Sequence, residues 1–115
     1  MARTAITPTT VPAAGVVLAD VDVAAELTDG NSFTWASGRR LYVANGDSTE
    51  LTVTVQTPGT VGAQALAIAD ATFTVAAGAA KLLPRLGPEF RRTDGAVWLD
   101  YSGADTAVTV AVLDL

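Results

Sequence analysis

Leu51-Thr52-Val53-Thr54-Val55-Gln56 alternates aliphatic and polar side chains without a break. Successive side chains of a strand point to opposite faces of a sheet, so a strict period of two marks a strand with one buried and one wet face. Thr57-Pro58-Gly59 follows and ends the strand, because proline fixes its own φ and glycine accepts a positive one.

Outward from this run the same signal recurs. Ala71-Thr72-Phe73-Thr74-Val75 alternates and stops before Ala76-Ala77-Gly78, and Ala107-Val108-Thr109-Val110-Ala111-Val112-Leu113 is a longer run rich in β-branched residues. Ala96-Val97-Trp98-Leu99-Asp100-Tyr101 is bracketed by Asp94-Gly95 and Ser102-Gly103, and a hairpin with the last strand is the expected pairing. Towards the N-terminus, Ser32-Phe33-Thr34-Trp35 and Arg40-Leu41-Tyr42-Val43-Ala44 read as short strands, with Asn45-Gly46-Asp47-Ser48 as the turn into residue 51. Val16-Val17-Leu18 and Val21-Asp22-Val23 are candidates for edge pairing. Val61 to Asp70 is the most helical stretch by its alanine content, yet Leu66 and Ile68 alternate and Gly62 opposes a helix, so strand or loop is expected.

About six to eight short strands, with turn signals at regular spacing, predict an all-β fold: a single antiparallel β-sandwich, jelly-roll or Ig-like, over residues 13–115. Its expected core is Phe33, Val53, Val55, Phe73, Val97, Leu99, Tyr101, Val108, Val110 and Val112. In that phase Trp98 and Asp100 point away from the core. Residues 1–12 are expected to form an extended N-terminal arm, either a disordered leader or a segment lying across a neighbouring subunit. The first ten residues contain no apolar core of a secretory signal, so export by that route is not expected.

With 115 residues the chain suffices for one domain with one core. It has no cysteine, hence no disulfide, thiolate nucleophile or cysteine-ligated zinc, and no histidine, the commonest general base near neutral pH. No glycine-rich phosphate loop, G-x-S-x-G elbow or serine with a base in reach of sequence spacing occurs. A non-enzymatic protein without cofactor is the expectation. Seven basic against twelve acidic residues give a net charge of −5, which repels nucleic acid, and no apolar run approaches the roughly 20 residues of a membrane span. Asp20, Asp22, Asp29, Asp47, Asp94 and Asp105 fall in or beside turns, where carboxylates cap backbone N–H groups, and no loop carries an Asp-x-Asp-x-Asp-Gly calcium pattern.

Arg39-Arg40 and Arg91-Arg92 are the basic pairs of this acidic chain. They are either solubilising surface charge or a means of docking on a carboxylate-rich partner, since a guanidinium pairs bidentately with a carboxylate. Lys81 to Phe90 combines large apolar residues with Pro84 and Pro88, which fits an ordered crossover or an exposed binding loop. Candidate contacts with a partner or a neighbouring subunit are therefore Arg3, Ile6, Pro8 and Val11 of the arm, with Arg39, Arg40, Leu86, Arg91 and Arg92.

Val43-Ala44-Asn45-Gly46, the run from Leu51 to Val61, Leu86-Gly87-Pro88, and Asp94-Gly95-Ala96-Val97-Trp98-Leu99-Asp100-Tyr101-Ser102 together carry a likeness to a known class. Over these stretches the chain resembles small virion proteins of tailed phages, in particular the capsid decoration or minor head proteins of actinobacterial phages. The resemblance implies a β-sandwich made in the host cytoplasm and seated on the outer capsid surface of the virion. There it would bind the major capsid protein, as a single copy or a homo-oligomer such as a trimer, with no chemistry of its own and no nucleic-acid or membrane partner. Two alternatives stay open: another virion component, head–tail or tail-associated, and a carbohydrate-binding β-sandwich module, which would need Trp35, Trp98 or Tyr42 as an exposed flat platform.

Overall fold

Thr52 and Thr54 are half-buried, while Leu51, Val53 and Val55 between and beside them are wholly buried. The period of two thus becomes one wet and one dry face of a strand. The computed structural model describes residues 3–58, 60–61, 66–67, 70–104 and 106–114, with the side chains of 60, 61, 66 and 67 left out.

Two mixed sheets make an all-β fold. The first has the order β1 (Thr4–Ala5), β4 (Asn31–Thr34), β11 (Ala96–Ser102), β6 (Leu51–Val55), β9 (Ala71–Val75). In the second, β10 (Ala80–Leu82) pairs with β5 (Arg39–Asn45), which pairs along its whole length with β12 (Val108–Asp114). The far edge of β12 is shared by β2 (Thr9–Thr10) and β3 (Val23–Ala24). A small pair, β7 (Thr60–Val61) with β8 (Leu66–Ala67), stands between β6 and β9; the rest of the stretch from Val61 to Asp70, apart from Asp70 itself, lies outside the described residues. From β4 to β6, and again from β9 to β12, each successive strand lies in the other sheet.

Inward rows of both sheets meet in one cluster. Phe33, Val53, Val55, Val97 and Leu99 come from the first sheet and Leu41, Val43, Val108, Val110 and Val112 from the second, with Phe73 and Tyr101 packed partly buried against them. Burying an aliphatic side chain of this size contributes about 1.5–3 kcal/mol, so this cluster supplies the main stabilising term. On β12, Ala111 and Leu113 are buried as well, so this strand is covered on both faces and its side chains are accordingly apolar in an almost unbroken run.

Three sequence expectations change. The hairpin of residues 96–101 with the last strand does not form: β11 pairs with β4 and β6, and β12 pairs with β5 in the other sheet. Both strands carry a fully buried row, Val97 with Leu99 and Val110 with Val112, and placing them in different sheets buries both rows in the same core. Of the two early edge candidates, Val23 pairs with Val110, whereas Leu18–Asp20 forms a single 3-10 turn.

The third change concerns the N-terminal segment. From Arg3 onward it is laid along this chain's own sheet edges: Thr4 and Ala5 run parallel to Asn31 and Ser32, and Thr9 and Thr10 run parallel to Leu113 and Asp114, so both sheets are mixed and not purely antiparallel as expected. Between these pairings Ile6 enters the core at 5% exposure. Sheet edges otherwise present unpaired N–H and C=O groups, and this segment satisfies part of one edge of each sheet.

Candidate functional site

Asp94-Gly95 turns the chain into β11, with Gly95 at φ +88° and Asp94 Oδ1 accepting from Ala96 N at 3.0 Å. Alternation along β11 sends Val97 and Leu99 inward and leaves Trp98 and Asp100 half-buried on the outward face. Arg92, anchored by its N–H on Ala96 O at 2.8 Å, sets its guanidinium 3.6 Å from the centroid of the Trp98 ring. Arg3 lies over the same ring at 4.6 Å. Its Nη1 also donates to Asp100 Oδ1 at 2.6 Å and to Leu99 O at 2.8 Å. Asp100 further accepts from Gln56 Nε2, so it holds Arg3 on one oxygen and Gln56 on the other. Burial pushes the Asp100 carboxyl up, but the hydrogen bonds from Arg3 and Gln56 and the Arg3 charge outweigh it and hold the group below the ordinary carboxylate range.

Gly30 makes this arrangement possible. Its φ is +84°, and a side chain there would collide with Arg3 Nη1 and Leu99 O, so the guanidinium passes where only a glycine leaves room. Next to it Asn31, fully buried, accepts at Oδ1 from Tyr101 Oη (2.7 Å) and from Glu26 N (3.0 Å), and donates through Nδ2 to Thr4 O (3.0 Å). Burial, with the Asp100 charge added, pushes the Tyr101 phenol well above its ordinary range.

The second tryptophan, Trp35, directly follows β4 and is held by the crossover between β10 and β11. Trp35 Nε1 donates to Leu86 O at 2.9 Å, Trp35 N donates to Gly95 O at 2.8 Å, and Arg91 lies over the indole at 5.6 Å. The adjacent residues Arg91 and Arg92 are thus each set on a different tryptophan. They line an open cleft of about 550 Å³ together with Pro88, Thr93, Asp94 and Gly95.

The remaining candidate contacts go elsewhere. Arg39 grips Asp114 with Nε and Nη2 at 2.6 and 2.9 Å, and its Nη1 donates to Thr34 O. That pairing raises the Arg39 guanidinium and lowers the Asp114 carboxyl, the hydrogen bond being the main cause of each shift. Arg40 Nε donates to Leu83 O at 2.9 Å. Leu86 and Leu83, both in the crossover between β10 and β11, are buried, and Ile6 is in the core. Pro8 and Val11 are half-buried, with Val11 N bonded to Asp114 O at 3.0 Å. By contrast, among the described residues no carboxylate lies within salt-bridge distance of Arg91 or Arg92, and neither guanidinium donates a side-chain hydrogen bond.

Gly30, Asn31 and Gln56 carry no signal in the sequence, whereas Arg3 and Arg92 stand among the expected contacts and the phase of the strand sends Trp98 and Asp100 outward. Arg3 reaches Asp100 across 97 positions, a separation no local pattern encodes. No group of three or more His, Cys, Asp or Glu side chains suited to a metal ion occurs among the described residues, and none of their helices is long and apolar enough to cross a membrane. Comparison of the chain with protein-family models, characterised proteins and solved structures finds no match.

Proposed function

We propose that this chain is a non-enzymatic phage structural protein: a β-sandwich, jelly-roll or Ig-like, that decorates a capsid by binding the outer surface of the major capsid shell and stabilising it. The observation that carries the docking role is the contrast between the two arginine pairs. Arg39 and Arg40 are bonded within the chain, whereas Arg91 and Arg92 rest on tryptophan rings with no carboxylate opposite them among the described residues. The shell as the docking partner is carried by the resemblance of residues 43–46, 51–61, 86–88 and 94–102 to decoration proteins, stretches that include the end of β5 and all of β6 and β11. Many weak contacts repeated over a shell gain avidity, which suits a small domain.

Quantitative mass spectrometry of purified particles tests the proposal. Hundreds of copies per particle support the shell, about a dozen or fewer support a head–tail or tail position instead, and none removes the virion role. Particles stripped of the chain should lose head integrity at lower temperature or lower ionic strength than intact ones; equal stability removes the stabilising role. The carbohydrate-binding alternative is disfavoured by both tryptophans, since guanidinium groups lie over the ring faces that a sugar would stack on.

A further inference from the structure

We infer that Arg91, Arg92 and the cleft of the 88–95 loop form a binding site for a carboxylate-rich segment of a protein partner. This rests on the docking role proposed above and names the chemistry that docks. The inference starts from what the two guanidiniums lack. The chain carries a net charge of −5, so acidic side chains are plentiful, yet none of the described ones is placed against Arg91 or Arg92. Asp94, the carboxylate lining the cleft, has Oδ1 turned to Ala96 N.

The tryptophans explain why this pair suits recognition. A guanidinium lying over an indole is held by its face, which leaves its edge N–H donors available for a planar anion. Arg92 at 3.6 Å and Arg91 at 5.6 Å are both positioned in this way before any partner arrives. A mobile arginine loses about 0.5–1.5 kcal/mol of side-chain freedom when a partner immobilises it, and part of that loss is already incurred here. Carboxylate fits better than phosphate for two reasons. Two neighbouring guanidiniums offer two forks, each matched to a carboxylate. Meanwhile the acidic remainder of the chain opposes the long, dense phosphate charge of a nucleic acid, whereas a short acidic segment engages only the local patch.

A capped peptide alternating glutamate with glycine is the probe, its glutamine analogue is the neutral control, and a short oligodeoxythymidylate is the phosphate control. Binding to the full chain is measured by calorimetry and by tryptophan emission, since both indoles lie beneath the arginines. The glutamate peptide should bind, weaken with added salt, and bind at least about tenfold more weakly to the R91Q/R92Q double variant, while R85Q, an exposed arginine outside the cleft, leaves binding unchanged. If the double glutamine variant does not fold, R91K/R92K replaces it, with a several-fold loss expected because an ammonium cannot form the bidentate pair. Undiminished binding by the substituted chain, no binding by the parent, equal binding of the glutamine peptide, or tighter binding of the oligonucleotide each overturns the site. The two proposals fail separately: particles that carry the chain while the peptide test fails leave the docking role without this site, and peptide binding by a chain absent from particles leaves the site without the capsid.

Discussion

Arg3 Nη1 and Asp100 Oδ1 meet at 2.6 Å, joining the N-terminal segment to the outward face of a central strand. The same nitrogen bonds Leu99 O, and its guanidinium also covers Trp98. A surface ion pair alone contributes little, but this one is combined with a backbone hydrogen bond and a ring contact, so the segment from Arg3 to Thr10 is fastened at its start.

Gly30→Ala should therefore act through Arg3. The added methyl meets Arg3 and Leu99 O, and a φ of +84° is itself unfavourable for alanine. The expected loss is about 2 kcal/mol or more of unfolding free energy in urea titration, against about 1 kcal/mol for Arg3→Ala. An unchanged midpoint for Gly30→Ala contradicts the clamp.

Deleting residues 1–10 should destabilise the fold rather than free an independent domain. The deletion removes two parallel pairings and the buried Ile6. Ile6→Ala by itself should cost about 2–4 kcal/mol, and the deletion more, read as a fall of many degrees in Tm. A truncated chain that melts with the parent would show that the segment adds nothing to the fold.

Asn31 is the polar joint between the N-terminal segment and the core. Asn31→Ala leaves Tyr101 Oη, Glu26 N and Thr4 O without their partner, with an expected cost of about 3 kcal/mol. Tyr101→Phe removes one bond and should cost about 1 kcal/mol. Chemical denaturation ranks the two, and a larger effect for Tyr101→Phe contradicts the arrangement.

Stability should fall at both ends of the pH scale. Asp100 and Asp114 are held below their ordinary range, so their contribution is present above the unfolded value near 4 and is lost as pH drops through the folded one. Tyr101 is shifted the other way, so its contribution is present below about pH 10 and is lost as pH rises beyond that. Thermal melts across pH should show D114N with a shallower acid limb and Tyr101→Phe with a shallower alkaline limb. Limbs identical to those of the parent contradict the assignment.

Sequence by itself determined the all-β class and most strand positions, because alternation is a local signal: residues 51–55, 71–75 and 96–101 state which side chain faces inward without reference to any other part of the chain. Turn chemistry at Pro58, Gly78 and Gly95 was equally local. The tertiary structure decided which strands are neighbours. A period of two specifies a face but no partner, so β11 and β12 read as a hairpin although their buried rows oppose each other from different sheets. It also decided how the arginines differ. Arg39 and Arg91 look alike in sequence, yet Asp114 stands 75 positions from one and a tryptophan lies beneath the other, and charge alone carries no record of what register will bring beside it.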